Sequence, residues 1–372
     1  MNEELSQKLA RVRSWLAATG FGAALFTSQP GVAWVTGGLE DRVVRNEEPG
    51  LAWALVTPAE AHLITTTIEA TRLVAEADLA GFTLHAVAWH DQGGLASAVQ
   101  RLAGSDGRLA GGSRWLATDG AGPGTPVPGE LAALRLPHTA AEHQRLAALG
   151  ADTATALEGA LRQWTPGERE CDLAARIAAA LEERLVFPAV LLVGGARRRR
   201  AFRHPVPTTA VTGPDVLAVV TGGRGGLTVS CSRSAAAGQP DPELAVRHQA
   251  ATVVEAALIA ATRPGRSWAQ ALAAGQAAYA DAGFPGEWRE HVQGGPVGYL
   301  SREFDVVPGT ASAETVIAPG TAFAWNPTVR GAKSEDTFIL PLIIPATGTV
   351  IPVTNTPDWP VTPGGRPDIL RV

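Results

Sequence analysis

Cysteine is almost missing from this 372-residue chain: Cys171 and Cys231 are the only two. Two thiols cannot build a disulfide framework, and no CxxC zinc pattern is present. An excess of positive charge is missing too. The formal net charge is −5, which argues against nucleic acid as a partner, since such domains are usually basic. Long apolar runs are lacking as well. The best candidate, residues 338–353, is interrupted by Pro341, Pro345 and Pro352 and reads as strands. The opening Met1-Asn2-Glu3-Glu4-Leu5 is acidic and polar, unlike the basic and then apolar start of a signal peptide. These absences predict a cytoplasmic protein in a reducing compartment, with neither membrane nor nucleic acid among its partners.

What is present is apolar and patterned. Hydrophobic residues make up 45% and charged residues 18%, enough for a substantial core, and the length allows two domains. Leu5, Leu9, Val12, Trp15 and Leu16 recur at helical spacing, and Gly20 and Gly22 end that helix. Residues 23–27 read as a buried strand and Gln29-Pro30-Gly31 as a turn. Val32 to Thr36, Leu51 to Val56 and His62 to Thr66 read as further strands. Helical stretches follow near 68–80 and 95–102, so the first part is expected to be an α/β domain with a mixed sheet. The Gly- and Pro-rich stretch between Gly120 and Gly129 is a loop or linker. Beyond it, Thr139 and Glu142 have the form of a capping box. The pattern of helix, Pro166-Gly167, helix, strands then repeats as helix, Pro264-Gly265, helix, strands.

Taken in order, these blocks resemble the pita-bread metallopeptidase family, which includes Xaa-Pro aminopeptidase, prolidase, methionine aminopeptidase and the metal-free creatinase. Residues 28–37 are similar to the segment that opens creatinase-type N-terminal domains. Glu142, Pro166-Gly167 with Glu170, His204-Pro205, Pro264-Gly265 and the Gly294 to Gly298 loop carry the resemblance through the rest of the chain. It implies a creatinase-type α/β domain over residues 1–134, a pita-bread domain with a pseudo-twofold repeat over residues 135–372, and a homodimer.

The resemblance also implies five metal-ligand positions, where the family carries Asp, Asp, His, Glu and Glu. Here they hold Val219, Ser230, Gly295, Asn326 and Glu335, so only the last is retained. A dinuclear site needs bridging carboxylates to offset the repulsion of two divalent cations. The expectation is therefore no metal and no other cofactor. A rearranged mononuclear site built from His204, His291, Glu303 and Glu335, supporting residual Xaa-Pro cleavage, is the alternative on the metal side.

The remaining polar residues suggest a binding pocket for a small amide, peptide or amino-acid-like ligand, because burying such groups unpaired is costly. His204 and Glu335 are the candidate catalytic pair, with His291, Gln293, Arg302, Glu303 and Asn326 as candidate ligand contacts and Lys333 nearby. In a metal-independent, creatinase-type hydrolase, His204 would move the proton, Glu335 would orient, and Asn326 or Gln293 would polarise the substrate carbonyl. Arg197 to Arg200 read either as a cationic rim for an acidic ligand or as solvated or interfacial salt-bridging residues. Gly222 to Gly226 reads as a tight turn rather than a phosphate loop. Ser230, Ser232 and Ser234 share one strand face, with Cys231 on the other.

Overall fold

The computed structural model describes residues 2–44, 50–104, 114–343 and 350–372. The chain divides into two compact units, Met1–Leu136 and Pro137–Val372.

In the first unit, α1 (Glu3–Thr19) starts at Asn2, whose side chain accepts from the Leu5 amide at 2.9 Å, and ends at Gly20 with φ of 75°. A left-handed residue of this kind costs glycine nothing, which is why the helix stops there. Its buried stripe includes Leu5, Leu9, Val12 and Leu16. There follow β1 (Phe21–Phe26), α2 (Gln29–Val35), β2 (Ala52–Val56), β3 (Ala61–Thr66), α3 (Ala70–Glu76), β4 (Thr83–Val87), α4 (Gly94–Leu102), β5 (Arg114–Thr118), β6 (Thr125–Pro126) and α5 (Pro128–Ala133). The six strands form one mixed sheet in the order β4-β3-β2-β1-β5-β6. β1 and β2 pair antiparallel, whereas β1 and β5 pair parallel.

Two neighbouring expectations fail here: Gln29-Pro30-Gly31 is the first turn of a helix rather than a free-standing turn, and Val32 to Val35 continue that helix instead of forming a strand. Ser28 caps α2 by accepting from the Gly31 amide, and Pro30 lies in the first turn. Every residue of α2 is buried, so no polar face marks the helical period.

The second unit repeats one design twice. In the first half, α6 (Ala140–Arg162) and α7 (Glu170–Glu182) pack on the antiparallel strands β7 (Phe187–Gly195), β8 (Asp215–Arg224) and β9 (Leu227–Ala236). The short α8 (Ala196–Ala201) lies between β7 and β8. In the second half, α9 (Pro242–Ala261) and α10 (Trp268–Asp281) pack on β10 (Gly294–Pro296), β11 (Ala322–Trp325) and β14 (Asp336–Ile339). The short hairpin of β12 (Thr328–Val329) and β13 (Ala332–Lys333) joins β11 to β14, and β15 (Ile351–Pro352) and β16 (Leu370–Arg371) extend the two sheets. Of the apolar run 338–353, residues 338–339 and 351–352 are strand, residues 340–343, 350 and 353 are not, and residues 344–349 lie outside the described residues. By length and hydropathy, α9 is the one described helix able to cross a bilayer, and half of that stretch is buried inside the protein.

One helix in each half opens as its sequence dictates. Thr139 and Glu142 close a capping box on α6, and Ser267 and Gln270 do the same for α10. The two sheets adjoin along β9 and β14. Ser230 donates its amide to the Thr337 hydroxyl at 2.8 Å, that hydroxyl donates to the Ser230 carbonyl at 2.9 Å, and the Ser232 amide donates to the Glu335 carbonyl at 2.9 Å.

Behind this seam lies a buried ionic lattice. Arg233 donates to Glu158 of α6 at 2.7 Å, to Asp336 at 3.0 Å and to the Thr354 carbonyl at 2.7 Å. Arg366 donates to Glu255 of α9 at 2.7 Å and also to Asp336. Ser334 donates to Glu255 as well. All five charged side chains are almost fully buried. Removing one partner from such a lattice strands the others in low dielectric, at a cost of about 3–5 kcal/mol. Arg233→Met is expected to lose stability of that order in urea denaturation. A loss under about 1 kcal/mol would show that the lattice does not hold the seam.

Candidate functional site

Strand alternation sorts β8 and β9 into two faces. Cys231 and Arg233 point toward the helices, as the contact of Arg233 with Glu158 requires. The thiol of Cys231 is fully buried, and burial pushes its pKa up, so it stays an unreactive thiol. Ser230, Ser232 and Ser234 take the opposite face, along with Val219, which opposes Ser232 in the ladder. Val219 packs with Leu192 and Leu217 in a small apolar cluster. Ser230 shares a 2.8 Å hydroxyl hydrogen bond with Thr221. The Ser232 hydroxyl is buried without a hydrogen-bond partner among the described residues.

The second half contributes from β10 and from the hairpin between β11 and β14. Gly295 sits where the backbone crosses closely over the 304–306 segment. A Cβ added there would lie 2.6 Å from the Phe304 carbonyl oxygen, too close for any side chain unless that backbone moves. Asn326 lies one step beyond the Trp325–Asp336 pair of the β11–β14 ladder, opposite Glu335. Its Oδ1 is buried and unpartnered.

Glu335 is the hub. It is 3% exposed, and its two oxygens face two cations: Arg302 donates at 3.0 Å to one, and Lys333 Nζ lies 3.5 Å from the other. Lys333 is itself 4% exposed. Burial draws its pKa down, and the Glu335 charge opposes that shift. The hairpin carrying Lys333 is pinned at its tip. Arg199 donates to the Gly331 carbonyl while paired with Asp215, the Arg330 amide donates to Glu287 at 3.1 Å, and Arg247 donates to the Arg330 carbonyl at 2.8 Å.

His204 and His291 meet above this group, with their Nε2 atoms 3.0 Å apart. Burial first, and then the nearby Lys333 charge, pushes His291 down to about 3. The more exposed His204 shifts in the same direction for the same reasons, against the pull of Glu335. Both rings are therefore neutral at pH 7, and the hydrogen bonds fix their tautomers. The Val292 carbonyl can only accept, so His291 Nδ1 carries the proton. His291 Nε2 is then the acceptor, and His204 donates to it from Nε2. His204 Nδ1 is left with a lone pair.

The structure thus gathers His204, His291, Arg302, Lys333 and Glu335 into one cluster, with Asn326 across the ladder. Two expected contacts behave differently. Gln293 is buried with its amide fully used: Oε1 accepts from Tyr279 at 2.9 Å, and Nε2 donates to the Trp288 and His291 carbonyls. It supports the His291 segment and has nothing left to polarise a carbonyl. Glu303 turns back on its own loop, accepting from the Tyr299 amide at 2.9 Å and lying beside Gly298 near His138. Among the described residues, no group of three or more His, Cys, Asp or Glu side chains is placed to hold a metal ion.

Three of the four arginines of the run are held in ion pairs. Arg198 pairs with buried Glu170, Arg199 with Asp215 and Arg200 with Asp241. Only Arg197 and Arg200 of the four are exposed. The sequence reading missed the part Arg199 plays in holding the Lys333 hairpin. Four identical letters in a row do not reveal which one turns inward, and the helical period of α8 was the signal available.

Solved structures with the same fold include a dipeptidase, PepE, from Mycobacterium ulcerans. It is 20% identical with a TM-score of 0.75, over 99% of this chain and 98% of that one. An Xaa-Pro dipeptidase from Bacillus anthracis is 18% identical with a TM-score of 0.74, over 99% and 100%. The N-terminal domain of the FACT complex subunit SPT16 from chickpea is 12% identical with a TM-score of 0.69, over 94% and 96%. At these identities the likeness is one of fold. No curated protein matches the sequence. The model of metallopeptidase family M24 matches residues 144–341, just over half of the chain. With that match, and with the helix-pair and sheet design repeated twice in the second unit, the chain belongs to metallopeptidase family M24.

Proposed function

We propose that this family member does not work as a two-metal peptidase and instead binds a small amide, peptide or amino-acid-like ligand at the Glu335 cluster. The observation that carries this reading is the pair of cations on Glu335. A divalent ion needs anionic oxygen or imidazole nitrogen. The one carboxylate retained at the five family positions already faces Arg302 and Lys333. Two unit charges of like sign ~4 Å apart repel by about 4 kcal/mol at an effective dielectric of 20. A divalent ion beside Lys333 doubles that figure. Val219 offers hydrocarbon, Ser230 a hydroxyl already bonded to Thr221, and Gly295 no side chain at all. The residues present do not fit a metal pair.

A second reading, metal-independent hydrolysis, is favoured by one specific observation. In the neutral His204–His291 pair, His204 Nδ1 carries a free lone pair, as a general base requires. In that reading Glu335 only orients, because both its oxygens are engaged, and Asn326 rather than Gln293 is the carbonyl partner.

Two experiments test these readings. Purified protein is expected to carry no stoichiometric transition metal and to show no manganese-stimulated cleavage of Xaa-Pro dipeptides. Manganese-dependent turnover that disappears in Glu335→Ala would overturn the proposal. The protonation state of the histidines has its own readout. In the unfolded chain His291 titrates near 6.5, but in the folded one only near about 3. Between those values the unfolded state takes up a proton that the native state refuses, so stability falls as pH drops through that window and is insensitive to this group above it. His291→Gln is expected to lose less stability than wild type between pH 7 and pH 4 in denaturant titrations. Equal slopes would mean that His291 is not held neutral.

A further inference from the structure

We propose that the Lys333–Glu335–Arg302 cluster is a receptor for one small carboxylate whose neighbouring group offers an N–H donor. This pocket would then take an anion where relatives of the family hold metal cations. The inference rests on the metal-free reading above and deepens it by giving the ligand a charge and a class.

Charge balance is the first support. Two cationic side chains, Arg302 and Lys333, face the one carboxylate of Glu335, so one positive charge of this ion cluster is unmatched. Lys333 is nearly fully buried, and among the described residues Glu335 at 3.5 Å is its single ion partner. An ammonium has three donors, and one partner at that distance leaves most of this capacity unspent. A buried net charge is costly, and a second carboxylate cancels it. Charge alone leaves the choice between a carboxylate and any other anion.

The unpartnered polar atoms narrow that choice. Ser232 Oγ, 3% exposed as a residue, has no hydrogen-bond partner, and its hydroxyl is a donor suited to an anion's oxygen. Asn326, 8% exposed, presents a buried Oδ1 that accepts from nothing. An acceptor at that point calls for a ligand N–H, and leaving it unmet costs a full desolvation penalty. Acetate would meet the charge but offers Asn326 no donor; inorganic phosphate offers a P–OH, and the titration below separates it from the N–H class. An N-acylated amino acid or a peptide acid meets both, through a carboxylate on Lys333 and Arg302 and an amide N–H on Asn326.

The test uses the full chain and calorimetric titration with four probes: N-acetylglycine, its uncharged carboxamide, inorganic phosphate and manganese chloride. N-acetylglycine is expected to bind at least about tenfold more tightly than the carboxamide or phosphate, tenfold being about 1.4 kcal/mol. Lys333→Met removes the excess charge and should abolish that preference. Glu335→Gln raises the excess charge and should strengthen binding of the acid. Opposite effects of two buried variants cannot come from a shared loss of folding, and thermal melts of both give the check. Equal binding of acid and carboxamide, preference for phosphate, or weakening in Glu335→Gln would overturn the inference while leaving the metal-free reading intact. Stoichiometric manganese binding would overturn both.

Discussion

The second unit is organised around Asp336. Its carboxylate is held between Arg233 of β9 and Arg366 near the C-terminus, and these arginines reach in turn to Glu158 on α6 and Glu255 on α9. One side chain therefore connects the helix layers of both halves to the seam where the sheets meet. Because side chains alternate along a strand, fixing Asp336 toward the helices presents its neighbour Glu335 to the opposite side. The geometry of the polar cluster follows from a charge lattice that never touches it.

That arrangement separates what holds the second unit together from what its opposite strand face carries. Fold stability here draws on the helix-facing lattice and on the apolar cluster around Trp268, Phe323 and Trp325. The pocket face contributes little that either depends on. Val219, Ser230, Gly295 and Asn326 can stand on that face without disturbing the layers behind. Any cost appears locally, as buried polar atoms on Ser232 and Asn326 that find no partner among the described residues.

Much of this was legible in the sequence where the signal was local. The capping box of Thr139 and Glu142 marked the start of α6, and the two Pro-Gly breaks marked the repeat. The family resemblance followed from the order of such blocks, and it brought His204, His291, Arg302, Asn326 and Glu335 to notice together. What escaped was set by long-range contact. The apolar stretch 32–36 reads equally well as strand or buried helix, and burial on all sides removes the pattern that would decide. Gln293 looked like a free amide until Tyr279, Trp288 and the His291 carbonyl were seen to occupy it. Glu303 looked like a site acid, yet it serves its own loop. The pairing of Lys333 with Glu335 depends on a short hairpin whose tip is pinned from three other segments, and no spacing rule reports that.

The close passage of the Gly295 backbone over Phe304 bears on how such a pocket changes over generations. Exchanging a carboxylate for a serine can be undone by one codon. A glycine against which the main chain has settled cannot, because the returning side chain would find its space already taken. At this position the constraint works like a ratchet: any side chain is reachable only if the 304–306 backbone shifts first.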